Sequence, residues 1–495
     1  MAETSSPSDV LDSTDDTETA RIGARNKLVI SLLLVSAFVV ILNETIMSVA
    51  VPVLMEDLGI AASAAQWLTT AFMLTMAVVI PITGFLLQRF HTRTVFIAAM
   101  TFFSLGTLIS ALAPGFEVLV AGRVVQATGT AIMMPLLMTT VMTLVPPASR
   151  GKTMGNISIV MSVAPALGPT ISGLILTVLD WRWMFWLVLP IAIGALILGA
   201  ARIQNVTEPR RIRVDGLSVV LSAFAFGGLI YGLSSLGEAA RGNVAMPVWI
   251  PLVVGGVALA LFTVRQLKLQ PDDRALLDLR TFASRTFTVA TTMLVISMLA
   301  LFGTIIILPI YVQYVLGLDP LATGLLLLPG GLLMGLLGPI VGRIYDRHGP
   351  TVLVVPGSII VSVVFWGMTL LDEGTPFIFV LVAHLGLSVG LAGLFTPVFT
   401  SGLGALKPHL YSHGSAIIGT VQQLAGAAGT ALFITVMTAQ SVALSAAGAS
   451  EVSATAGGIQ AAFLSGAILS LVAVAVSFFV RKPVDALVDS PAPVH

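Results

Sequence analysis

Apolar segments of about twenty residues recur along the whole length of this chain and leave it few ways to fold. They lie at about 28–50, 65–87, 94–112, 117–143, 154–178, 183–201, 215–236, 247–267, 287–315, 321–343, 351–371, 376–402, 413–438 and 460–480. Each is long enough to cross some 30 Å of hydrocarbon as a helix. Within lipid the backbone must satisfy its own hydrogen bonds, and a continuous helix does so inside one segment. The composition agrees, with 56% hydrophobic and 10% charged residues, against about 25% charged in soluble proteins. The expected class is an all-α integral membrane protein with fourteen transmembrane helices.

Charge placement tests that count. Nearly all of the 24 Lys and Arg fall in alternate loops or at the chain ends. These include Arg89, Arg93, Arg150, Lys152, Arg202, Arg265, Lys268, Arg343, Arg347 and Lys407. The intervening loops are mainly acidic, with Glu56, Asp57, Glu117, Asp180, Asp319, Asp372 and Glu451. Arg182 and Arg241 are the exceptions in those loops, and Arg123 lies inside a helix. By the positive-inside rule both termini are expected in the cytoplasm. Residues 1–24 read as a disordered cytoplasmic tail, acidic and rich in Ser and Thr, and 483–495 as a second short tail. The first tail lacks the basic start and apolar core of a signal peptide.

Several function classes drop out. Net charge is zero, so there is no basic footprint for nucleic acid, and without cysteine there is no thiolate chemistry. Gly151-Lys152-Thr153 resembles the end of a phosphate loop, but Pro146 stands where the first glycine is needed and no strand precedes it. His409 and His413 have no acidic ligands nearby in sequence, and no catalytic triad or metal cluster is visible. Neither an enzyme nor a resident cofactor or metal is expected.

The chain repeats itself. PITGFLLQRFH at 81–91 aligns with PIVGRIYDRHG at 339–349, matching Pro81, Ile82, Gly84 and Arg89 to Pro339, Ile340, Gly342 and Arg347. Both segments end an even-numbered helix on the basic side. The chain therefore divides into a six-helix bundle at 25–205, two inserted helices with linkers at 206–275, and a second six-helix bundle at 276–482. Like-oriented halves imply an axis along the membrane normal, as in carriers that bind near the midplane and rock one half against the other. The inserted helices are expected to fill space beside the bundles.

One acid breaks the apolar pattern. Glu44 is the single Asp or Glu deep in the expected helices, where an ionised side chain costs about 2.5–3.5 kcal/mol or more. An acid kept there reads as a proton or cation relay facing a protein-lined cavity.

Local patterns then carry a resemblance. After the second helix stand Gly84, Leu86, Gln88, Arg89, His91 and Arg93, and the second copy has Asp346, Arg347 and Gly349. The fourth helix holds Arg123 and Gln126; the fifth holds Gly155, Ala164, Gly168, Pro169 and Gly173. Over about residues 25 to 480 the chain resembles the fourteen-helix drug:proton antiporter branch of the major facilitator superfamily, of the lincomycin-resistance and multidrug exporter type. The resemblance implies the major facilitator fold and a bacterial plasma-membrane location. It also implies export of small lipophilic or monocationic molecules, driven by the proton gradient without a cofactor. Membrane lipid and small-molecule substrates are the expected partners, and the protein is expected to act as a monomer.

The resemblance also assigns roles. Gly84, Arg89, Arg93, Asp346 and Arg347 match a conformational latch, with Gln88 where the family has an acid. Gly155, Gly168, Pro169 and Gly173 match a bendable packing seam. Arg123 matches an arginine linked to proton transfer, and Asn43 stands where the family places an Asp, so that Glu44 is displaced by about 100° around the helix. Glu44 and Arg123 each lie roughly 9 Å below the outer boundary of their helices, which makes Arg123 the expected counter-charge of a proton carrier. His384, in the twelfth helix, is a further candidate for coupling, since histidine titrates near neutral pH. Asn43, Gln126, Tyr311, Gln313, Gln422, Gln423, Trp67 and Phe72 are candidates for the substrate path. Export of an endogenous lipid or metabolite, or a receptor role without turnover, are the competing readings.

Overall fold

A computed structural model describes residues 7–60, 62–203, 205, 209, 214–239 and 246–482. Six helices come first: α1 (Pro7–Asp57), α2 (Ala62–Arg89), α3 (Thr92–Ala111), α4 (Phe116–Leu144), α5 (Arg150–Val178) and α6 (Trp183–Arg202). The inserted pair is α7 (Gly216–Ala239) and α8 (Trp249–Leu269). Six more follow: α9 (Arg285–Ile310), α10 (Pro320–His348), α11 (Thr351–Met368), α12 (Phe377–Gly404), α13 (Tyr411–Ala446) and α14 (Glu451–Ser477). All fourteen are long and apolar enough to cross a membrane, and no strand occurs among the described residues.

The two halves repeat one packing scheme. In the first, α3 packs on α4 and α6, α2 on α4, and α1 on α5; in the second, α11 packs on α12 and α14, α10 on α12, and α9 on α13. Proline positions repeat as well, with Pro81 and Pro339 in α2 and α10, and Pro135 and Pro397 in α4 and α12.

One expectation needs correcting. The segment 1–24 reads as disordered, yet α1 is helical from Pro7. Composition argues for disorder because such a segment cannot bury a core. A helix already nucleated in the membrane extends without a second nucleation cost. Proline suits a first helical position, and acids suit the positive end of the helix. Residues 1–6, the linker positions 206–208 and 210–213, Arg241 and the tail 483–495 lie outside the described residues.

The inserted helices do more than fill space. α7 packs against both α2 and α13, one helix from each half, and α8 packs on α7. Tyr231 of α7 stacks on Trp67 of α2 with ring centroids 6.0 Å apart. At the basic end a clasp joins the pair. Asp215 accepts from Ser218 N (2.9 Å) at the start of α7 and takes a two-pronged bond from Arg265 of α8, 2.6 Å on each oxygen. Next to it Gln266 donates to Ser218 Oγ (2.9 Å) and accepts from Leu276 N (2.7 Å). The linker into α9 is thereby pinned beside α2, where Leu276 O lies 3.5 Å from the position of a Cβ on Gly84.

Arg265 and Ser218 hold the Asp215 carboxyl well below the usual carboxylate range. The resulting stabilisation is present above the unfolded carboxylate value, about 3.9, and is lost as pH falls toward the folded one. Asp215→Asn is expected to cost about 1–2 kcal/mol, at the lower end because Arg265 is a third exposed and solvent screens it. Thermal unfolding in detergent should show a lower midpoint at pH 7, with the gap to the unsubstituted protein closing below about pH 4.

Candidate functional site: a buried charge cluster on four helices

Arg123 sits at the centre of the first half, 1% exposed. Its Nη1 donates to Gln126 Oε1 (2.6 Å), one helical turn on, and to Asn43 Oδ1 of α1 (3.4 Å). The guanidinium lies over the Phe72 ring of α2, 4.1 Å from its centroid. Gln126 Nε2 in turn donates to Thr107 Oγ1 of α3 at 2.7 Å. Four helices thus converge on one cation. A desolvated guanidinium needs acceptors and a polarisable face, and an amide pair with an aromatic ring supplies both.

Glu44 is half-buried and makes no hydrogen bond or ion pair among the described residues. Arg123, the expected counter-charge, acts on Glu44 without an ion pair between them among the described residues. The reason is angular. Asn43 occupies the face of α1 that meets α4, and the next residue points about 100° away. Glu44 therefore keeps a free, partly accessible carboxyl.

The path candidates separate. Asn43 and Gln126, 2% and 0% exposed, belong to the cluster and not to an open path. Phe72 belongs to it too, beneath Arg123. Trp67 faces α7 through its stack on Tyr231. Tyr311 is fully buried and donates to the Asp372 carbonyl at 2.6 Å, which ties the end of α9 to the α11–α12 loop. Gln313 lies in a π-helical turn, Tyr311–Val315, and donates to Thr323 Oγ1 of α10 (3.1 Å). Gln422 and Gln423 of α13 are half-buried, and Gln423 Nε2 reaches Met76 Sδ of α2 (3.5 Å) across the halves. His384 is buried in α12 with Nδ1 unpartnered, and its Nε2 fills the gap at Gly330 of α10. It precedes Pro397 by nearly the interval that separates Arg123 from Pro135.

Contacts between the halves concentrate toward the basic face. Asp346, at the end of α10, accepts from Gly151 N and Lys152 N at the start of α5, both at 2.8 Å. The repeat places Gln88 at the matching position, and Gln88 Nε2 donates to Ser412 Oγ at the start of α13 (3.0 Å). A carboxylate at a helix N-terminus is favoured by the dipole, so the α10–α5 contact is charged and the α2–α13 contact neutral. Arg150 donates to Tyr411 OH (3.3 Å), Thr139 to Ser415 Oγ (3.2 Å), and Ser158 Oγ lies 2.6 Å from Thr396 Oγ1. Along α5 and α10 the backbones touch: a Cβ on Gly155 would fall 2.3 Å from Gly338 O.

The remaining seam and loop residues divide. Gly168 packs against Thr45 of α1, where a Cβ would lie 2.1 Å from Oγ1; a Cβ on Gly173 would meet open space, so close packing does not explain that glycine. Pro165 and Pro169 sit within an unbroken α5. A Cβ on Gly84 would lie 3.4 Å from both Ala416 and His413, an ordinary contact. Arg89 closes α2, Arg93 N donates to Asn205 Oδ1 (3.4 Å), and Arg347 is exposed in the last turn of α10. Thr107 escaped sequence reasoning because a threonine in an apolar helix carries no signal of its own.

Two pseudo-symmetric helical bundles, closed on one face around a buried charge cluster, define a multi-pass carrier. The model of the Major Facilitator Superfamily matches residues 33–430, and the chain belongs to that family. It is 41% identical to the MFS-type transporter YcnB of Bacillus subtilis, over 94% of this chain and 97% of that protein. It is likewise 41% identical to the lincomycin resistance protein LmrB of Listeria monocytogenes, over 92% of this chain and 96% of that one. A multidrug resistance protein B homolog of Mycobacterium tuberculosis is 30% identical over 80% of this chain and 74% of its own length. Among solved structures, the human organic anion transporter MFSD10 (TETRAN) superposes with a TM-score of 0.62 at 16% identity, covering 91% of this chain and 99% of that chain. The proton:xylose symporter XylE does so with 0.62 at 14%, covering 93% and 97%. The protein is therefore a multi-pass transporter of the bacterial plasma membrane and not an enzyme.

Proposed function

We propose that the protein exports small lipophilic or monocationic compounds in exchange for protons, by alternating access between its two halves. Glu44 carries the proton and Arg123 is the fixed charge against which it titrates. The observation that carries this reading is Glu44 itself: a partly accessible carboxyl with no bond partner, one residue from the Asn43 that holds Arg123. Protonation there breaks no existing hydrogen bond, so the carboxyl is free to load and unload. Burial and a neighbouring cation act in opposite directions on a carboxylate, and a movement that changes either would drive release. A single acid suits a neutral or singly charged substrate better than a dication.

The relatives named for lincomycin and multidrug resistance support export of drug-like molecules. The contacts on the basic face support a state closed on that side. With the basic face in the cytoplasm, as the loop charges argue, this is the state open to the outside. The protein works as a monomer, and the proton gradient replaces any cofactor.

The test is transport by the full chain in proteoliposomes under an imposed pH gradient. The panel holds lipophilic monocations, neutral compounds, dications and a labelled phospholipid. Monocations and neutral compounds should move with stoichiometric counter-movement of protons. Transport of the phospholipid alone would overturn the drug-export reading, and transport without proton movement would overturn the antiport.

A further inference from the structure

Arg123 takes both of its hydrogen bonds through Nη1, while its Nε has no partner. Its orientation therefore depends on which way its neighbours point. Gln126 could offer either end of its amide, because the two ends have nearly the same shape and opposite hydrogen-bonding character. The choice is made one helix further out. Thr107 Oγ1 donates its own proton to the Phe103 carbonyl at 2.7 Å. It has lone pairs left, and they accept from Gln126 Nε2 at 2.7 Å. The amide oxygen is then turned toward Arg123. In the reverse orientation the amide NH2 would face both a guanidinium N–H and nothing it could donate to, in a site closed to water.

We propose that Thr107 is a positioning residue for proton coupling: by polarising the Gln126 amide it fixes the Arg123 guanidinium relative to Glu44. This rests on the reading of Glu44 as proton carrier. The relay is buried throughout, with Thr107 and Gln126 each 0% exposed. It is also held rigidly. A Cβ on Gly106 would lie 2.3 Å from Gln126 N, and one on Gly129 would lie 2.3 Å from Ala99 O, so α3 and α4 touch backbone to backbone. Thr107, Gln126 and Arg123 form one unit on α3 and α4, while Asn43 and Glu44 belong to α1. The relay thus anchors the fixed partner of a pair whose other member sits on a different helix.

The variants are Thr107→Val, which keeps the shape and removes the acceptor, and Thr107→Ser, which keeps the hydroxyl. The readout needs no substrate: infrared difference spectra of the full-length protein in lipid, followed with pH. The band of protonated Glu44 is identified by its loss in Glu44→Gln. Thr107→Val should move the midpoint of that band by about one pH unit or more, a tenfold change in proton affinity. Thr107→Ser should stay at the original midpoint. Adding Gln126→Leu to Thr107→Val should produce no further shift, since both act on one relay. If Thr107→Val does not fold, Thr107→Ala gives the same reading. A midpoint unmoved by loss of the hydroxyl, with the band still abolished by Glu44→Gln, overturns the role of Thr107 alone. If no titrating band depends on Glu44, the proton-carrier reading fails and this inference fails with it.

Discussion

A protein carrying Glu44→Gln is expected to lose proton-driven accumulation of substrate altogether. Glutamine keeps the size and polarity of the side chain and cannot exchange a proton. Because Glu44 holds no hydrogen bond or ion pair among the described residues, its replacement should leave folding nearly unchanged. The effect on energetics is large. One proton exchanged for one monocation moves no net charge, so an imposed difference of about 1.5 pH units contributes roughly 2 kcal/mol and sustains a substrate gradient of about 30-fold at 1.4 kcal/mol per decade. In proteoliposomes the accumulation ratio of ethidium, a lipophilic monocation, should fall from that range to about one. Downhill exchange of the same probe should continue within a few-fold of its original rate. If Glu44→Gln still concentrates ethidium against its gradient, the proton is carried elsewhere, and His384 becomes the first residue to examine.

The second large effect is a reversible arrest. Ser158 Oγ of α5 and Thr396 Oγ1 of α12 lie 2.6 Å apart on opposite halves. Because the chain has no cysteine, a pair introduced by Ser158→Cys and Thr396→Cys has no competing thiol. Oxidation should bridge the halves on the basic side, where Asp346 already holds α5 and the Gly155–Gly338 contact leaves no slack. Alternating access requires these contacts to open once per cycle, so transport should stop in the oxidised protein and return on reduction. The oxidised protein should keep one side of the cluster accessible, read as substrate binding from that side alone. Full turnover in a completely cross-linked sample would show that the basic face does not open.

Much of this was legible in one dimension. The fourteen helices follow from transfer free energy summed along the chain, and the repeat around Pro81 and Pro339 assigned them to halves. The cluster was partly legible: Arg123 and Gln126 stand one helical turn apart, and Asn43 lies at the depth of both. Its wiring was not. Reading Arg123 as the counter-charge of Glu44 used depth alone, and depth says nothing about which residue of α1 bonds the guanidinium. The partners of Trp67 and Tyr311 were not legible for a related reason. On helices apolar all round, no hydrophobic stripe marks which side faces a neighbour. Trp67 met Tyr231 of an inserted helix, and Tyr311 met the backbone of a distant loop.

The amino-acid sequence by itself determined that this chain enters a membrane as fourteen helices, twelve of them in two repeated sets of six, with one acid held among them. Those properties are local: they depend on the length, polarity and order of segments, which solvent and lipid read residue by residue. The tertiary structure alone decided that Asn43 and not Glu44 holds Arg123, that the Gln126 amide bridges Thr107 and Arg123, and that α7 rests on both halves. Hydrogen bonds are directional and short-ranged, so their pairing appears only once helices distant in sequence are fixed in rotation against one another.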